Sequence, residues 1–243
     1  MSYQPLQPVG ALLSRTFAFY REHLRLAVAL TFPVVAVVDV ILAAGLGEFT
    51  AGVHQKASTA DFWVELAADL FVTVPIVTAM LAQVVVGERR DGTVPPARRA
   101  AEDGLELFVP ALIPVVIYAI GVAIGGSFLV IPGVYLYFSW YFVVQAVVVD
   151  GARGFGAVMT SAALVRGHWW HTAGVVVCLE VLIGIPALIV STGFMAIASL
   201  VDSEAITVLG SVLVDTAALP FVVIGATLYY LELRGRAQLP APR

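Results

Sequence analysis

From Leu107 to Val149 the chain runs 43 residues without one charged side chain. An α-helix rises ~1.5 Å per residue and the hydrocarbon core of a bilayer is ~30 Å thick, so this run is about two membrane thicknesses long. It has to fold back on itself, giving two crossings joined by almost no loop. Gly125-Gly126-Ser127 divides the run most evenly and is the expected turn, with Pro132-Gly133 as the alternative.

Other apolar runs complete the set. Crossings are expected at about 26–47, 62–87, 105–125, 128–149, 170–200 and 205–231. Asp39 interrupts the first, Glu65 and Asp69 lie toward the outer end of the second, and Glu180 and Asp215 fall in the last two. Closed β-barrels are the other way to span a bilayer, but their strands alternate in polarity, whereas these runs are apolar on every face. The fold class is therefore an all-α integral membrane protein of six transmembrane helices. A composition of 60% hydrophobic and 12% charged residues agrees with this and excludes an ordinary soluble domain.

Charge sets the orientation. Twelve of the thirteen basic residues fall in four segments that six crossings place on one side, and only Lys56 falls on the other. Basic segments stay cytoplasmic, so both termini are expected inside. Arginine outnumbers lysine twelve to one, which points to a GC-rich bacterial genome and hence a bacterial cytoplasmic (inner) membrane. The net charge of −4 and the lack of a clustered basic face exclude nucleic acid as a partner. The lipid bilayer is the expected partner. No cleavable signal peptide is expected, since the first apolar run exceeds a typical signal core. The single Cys178 sits in an apolar run and is expected to be buried, with no internal disulfide possible.

The cytoplasmic segments have a pattern of their own. In residues 8–24 one helical face carries Val9, Leu12, Leu13, Phe17, Tyr20 and Leu24, the other Ser14, Arg15, Ala18, Arg21 and Glu22. This predicts an amphipathic helix in the membrane interface, with Pro8 suited to its first turn. Shorter versions are expected at 95–104, and at 154–166 with Phe155, Val158, Met159 and Ala162 apolar. Each precedes a pair of crossings, so the chain reads as three units of surface helix plus transmembrane hairpin. Protein partners could be engaged through these cytoplasmic helices.

The stretch from Leu129 to Trp170 contains Ile131-Pro132-Gly133-Val134-Tyr135-Leu136, then Asp150-Gly151, then Ala157, Ser161, Leu164, Arg166, Gly167, Trp169 and Trp170. It resembles the membrane domain attached to some bacterial glycerophosphoryl diester phosphodiesterases and its stand-alone six-helix relatives. The segment from Gly10 through Tyr20-Arg21 is similar to that family's opening helix. Thr160 stands where the family often has a basic residue, and Asp150 where a longer acidic one is common. The membrane unit, surface helices and loops included, is expected to use all 243 residues and to leave no room for the phosphodiesterase domain, so the resemblance implies a fold and no reaction.

Chemistry, if any, is expected at charged groups held in hydrocarbon, which are costly and face the bundle interior. Asp39, Asp69, Glu180 and Asp215 are the candidates. The three aspartates lie at similar depth from the outer side, with Glu180 beneath them. They are expected to be protonated or to hold a cation, and together could form a proton or cation path. The competing expectation is structural, with each aspartate hydrogen-bonded to a hydroxyl or to a carbonyl of a kinked helix. His168 and His171 flank Trp169-Trp170 as interfacial polar groups, and Tyr135, Tyr137, Trp140 and Tyr141 are expected to pack. Gln83 and Gln145 suit hydrogen bonds between helices. No GxGxxG, P-loop, HExxH or GxSxG motif occurs, and no cofactor or metal is expected. The sequence therefore predicts a non-catalytic membrane module organising protein or lipid partners, with a small transporter using the buried carboxylates as the alternative.

Overall fold

The computed structural model describes residues 6–46 and 59–237, and these are helical nearly throughout, with no strand among them. Six segments are long and apolar enough to cross a membrane: Leu24–Gly45, Thr59–Arg90, Ala97–Phe128, Val130–Asp150, Trp169–Val201 and Glu204–Ala237. They coincide with the six expected crossings, several of them longer than the sequence pattern requires. Lys56, and with it part of the orientation pattern, lies outside the described residues, as does Gly47 at the end of the first expected crossing.

In chain order the helices are α1 (Val9–Glu22), α2 (Leu24–Leu46), α3 (Thr59–Ala68), α4 (Val74–Asp91), α5 (Ala97–Phe128), α6 (Val130–Ser139), α7 (Val143–Asp150), α8 (Phe155–Val165), α9 (Trp169–Val201) and α10 (Glu204–Ala237). Between α3 and α4 the chain does not leave the helix but widens to a π-helical turn over Asp69–Thr73. Pro75 follows at the start of α4. A proline has no N–H to give and its ring strikes the carbonyl four residues back, and widening the preceding turn relieves both.

α10 is the axis of the bundle, packing along α9, α2, α4 and α1, while α4 also packs on α5 and α7. Small residues set the closest approaches, as expected where lipid supplies no hydrophobic drive between helices. A Cβ on Gly104 of α5 would stand 2.5 Å from Met80 Cγ and 2.8 Å from its backbone nitrogen. One on Gly225 of α10 would stand 2.5 Å from Leu179 and 3.2 Å from Thr16. The buried core runs from there through Phe142, Tyr229 and Tyr230.

This dense end carries every described arginine and is called the basic end below; the opposite end, with Asp202 and Glu204, is the acidic end. At the basic end α1 is tied down from several sides. Gln7 N–H donates to Glu232 (2.9 Å), Tyr20 O–H to the Ala217 carbonyl (2.9 Å), and His23 meets Glu88 at 2.6 Å. The Asp150 carboxylate receives both the Tyr230 hydroxyl and the Arg234 guanidinium.

Several expectations are corrected. The turn between the third and fourth crossings is not at Gly125-Gly126-Ser127. α5 continues through those residues, and the chain reverses at Leu129 alone, in extended backbone (φ −156°, ψ 134°). The glycines serve approach instead, since a Cβ on Gly133 would fall 2.6 Å from Gly126 N. Pro132 sits in the first turn of α6, where its missing N–H costs nothing.

The surface helix expected at 95–104 is no separate element. Its residues from Ala97 on form the first turns of α5, because nothing after Pro95-Pro96 breaks the helix before the membrane. In α1 the buried face is Leu12, Thr16 and Phe19, while Phe17 points away from the protein, as does Leu24 at the start of α2. α8 likewise buries Ala157, Val158, Ser161 and Leu164 and turns Phe155 and Met159 outward. Cys178 is exposed, on the outward side of α9.

The fourth crossing is broken at Trp140–Phe142, between α6 and α7, which no proline announces. Ser161 of α8 closes the gap: its Oγ accepts from Phe142 N–H (3.2 Å) and donates to the Ser139 carbonyl (2.9 Å). Irregular backbone at membrane depth persists only where protein satisfies it, and one serine does so here.

Candidate functional site

The π turn and the two helices it faces build a cavity of about 240 Å³ near the acidic end. Asp39 enters from α2, Glu65 and Asp69 from α3 and the π turn, and Thr207, Ser211 and Asp215 from α10. Each helix contributes by spacing. Glu65 and Asp69 are four residues apart, as are Thr207, Ser211 and Asp215, so each set lines one helix face. Ser211 Oγ donates to Asp39 Oδ2 at 3.1 Å while also meeting the Val208 carbonyl at 2.9 Å. Asp215 lies within electrostatic reach of both Asp39 and Asp69. Pro220 of α10 leaves the Thr216 carbonyl without its helical donor, beside Asp215. At ~30 Å³ per water the cavity has room for several waters.

Three of the four carboxylates expected from the sequence thus meet in one cavity. The fourth does not. Glu180 of α9 lines a second cavity of about 320 Å³, bounded by α4, α5, α6, α7 and α10. Leu70 and Leu219, each adjacent to or one turn past an aspartate of the first cavity, line the second, so the two are neighbours along the π turn and α10. Tyr137 O–H donates to Glu180 Oε1 at 2.7 Å, and Tyr118 and Tyr141 stand beside the same carboxylate. Gln145, expected to bond between helices, is buried in the wall of this cavity.

Glu65, Thr207 and Ser211 were not among the expected site residues. Their signal was present: a polar residue every fourth position across otherwise apolar crossings. Reading charges singly hides such a stripe.

His171 and Trp169 have structural partners. His171 contacts Tyr229 O–H (3.0 Å) through Nδ1 and the Gln7 carbonyl (3.2 Å) through Nε2. Trp169 donates to the Tyr135 carbonyl at 3.2 Å and its ring stacks on Tyr135, 5.8 Å between centroids. Among the described residues no three histidine, cysteine or carboxylate side chains are placed to hold one metal ion.

No family model, no curated protein and no solved structure matches this chain.

Proposed function

We propose that this chain is a multi-pass protein of a bacterial cytoplasmic membrane, both termini inside, that takes up protons or small hydrated cations into its acidic cavity from the opposite side. One observation carries the reading: Asp39, Asp69 and Asp215, distant in sequence, line a single cavity together with Glu65. A recess walled by low-dielectric helices and lined by one sign of charge concentrates counter-ions. Among the described residues that side carries seven carboxylates (Asp39, Asp61, Glu65, Asp69, Asp202, Glu204, Asp215) and no lysine or arginine. The proposal assigns no reaction to the chain. In it, α1 and α8 lie in the inner interface and the crossings form three hairpins.

A second reading, a module that organises partners at the inner face, is favoured by the outward apolar side chains of α1 and α8, Phe17, Phe155 and Met159. It is compatible with the first and distinguished from it by flux.

Two measurements test the proposal. Cysteine reporters at Ser203 should label from outside intact cells, and at Ala152 should not, in a Cys178→Ser background; the reverse pattern removes the orientation. In proteoliposomes, Asp39→Asn with Asp215→Asn should abolish proton or cation uptake at normal protein level. Unchanged uptake would sink the cation reading and leave the module.

A further inference from the structure

Beneath the acidic cavity, the second cavity is built differently. Its walls are mostly aliphatic and aromatic, with one carboxylate, Glu180, and three tyrosines around it. We propose that this cavity is a binding site for a small organic ammonium ion, held by Glu180 and caged by Tyr118, Tyr137 and Tyr141.

The chemistry of the lining selects that class. At about 320 Å³ the space is far too large for a bare metal ion, which would also require some six oxygen ligands at short distance. It lies within the size range of small-molecule pockets, where a few polar groups sit in an apolar wall. An alkylated ammonium carries its charge under apolar groups and is weakly hydrated, so it gains from both kinds of wall. The ring planes are inclined to one another, 43° between Tyr118 and Tyr137 at 6.2 Å, and 63° between Tyr137 and Tyr141 at 5.8 Å. Rings so disposed are walls rather than a stack, and the negative face of an aromatic ring attracts an organic cation. Tyr137 O–H holds Glu180 in position through its 2.7 Å bond, which a cation does not compete for.

The broken fourth crossing is what allows the cage. Tyr137 belongs to α6 and Tyr141 to the break, while Ser161 satisfies the backbone on either side of it. The site stands on Glu180 and the tyrosines and does not require that the acidic cavity conduct.

The test uses the purified full chain in nanodiscs, titrated with tetramethylammonium chloride by calorimetry against equal sodium chloride. Saturable binding of tetramethylammonium, with no comparable heat from sodium, is expected. Glu180→Gln should weaken it at least about tenfold, Tyr137→Leu likewise, whereas Tyr137→Phe, which keeps the ring, should stay within a few-fold. Asp39→Asn with Asp215→Asn should leave affinity unchanged, so loss of flux there and loss of binding here are separate results. No saturable binding to the unmodified protein, or full affinity in Glu180→Gln, overturns the proposal. Loss of binding in the Asp39/Asp215 variant moves the site to the upper cavity and overturns it too. If Glu180→Gln fails to fold, Tyr118→Leu takes its place, and unchanged affinity there is equally fatal.

Discussion

The two ends of this bundle are made of the same apolar residues and packed to opposite effect. At the basic end α1, α4, α8 and α10 close around Tyr229 and Tyr230, both 0% exposed. At the acidic end Leu200, Phe128 and Ile131 are more than four-fifths exposed. In water that contrast would mark an unstable half. In a bilayer it does not, because lipid tails are as apolar as leucine and exposure to them is free. What distinguishes the ends is polar contact and steric fit: Asp150 with Tyr230 and Arg234 at one, a recess of carboxylates at the other. The charged pair Asp150–Arg234 is expected to make the basic end the larger contributor to stability.

That division is open to attack, and the strongest blow falls on Asp150. Its carboxylate and Arg234 are mostly buried, so Asp150→Ala strands a charge and should destabilise the purified protein by about 3–5 kcal/mol. Replacing Arg234 as well, by Met, should restore much of the loss in the same thermal melt. A small effect of the single change would mean that this end is not where stability resides.

Ser161→Ala leaves the Phe142 N–H and the Ser139 carbonyl without their partner at the helix break. Two buried backbone groups orphaned in this way cost about 1–3 kcal/mol each, read again by melting. A comparable loss, about 1–3 kcal/mol, is expected for Gly104→Ala, where the new methyl meets Met80 backbone. Gly193→Ala on α9, with open space at its Cβ, should not destabilise at all. Equal effects of the two glycine changes would erase the contrast in packing.

At the acidic end Asp215→Asn should shift stability by less than about 1 kcal/mol, since an amide still accepts a hydrogen bond, while uptake in proteoliposomes is lost. A large fall in melting temperature would make the cavity a structural element after all. The smallest effect is expected for Phe17→Ala on α1. That side chain is 58% exposed and touches little protein, so the melt should move by no more than about 0.5 kcal/mol, whereas binding of the isolated α1 peptide to vesicles should weaken measurably.

The elements were legible to different degrees. Crossings were easy to read because a bilayer demands some twenty apolar residues in a row, and no tertiary contact can waive that demand. The break at Trp140–Phe142 was not, because the serine that permits it comes about twenty residues later, from another helix. The reversal at Leu129 was missed for a related reason. Glycines at Gly125 and Gly126 look like a turn, but they serve as the flat surface against which Gly133 packs. The outward position of Cys178 was not legible because apolar runs in lipid carry no mark of which side is inside.

The chain's own residues determined the number of crossings, the segregation of arginines to one end and the presence of carboxylates within membrane-spanning helices. Those properties follow from transfer of each residue between water and lipid, which depends on composition and run length alone. Tertiary structure decided that Asp39, Asp69 and Asp215 share a cavity with Glu65, and that Glu180 stands apart among tyrosines. It also decided which face of each helix is buried. In an apolar solvent that choice depends on which small residues let which backbones meet, and no single helix contains that information.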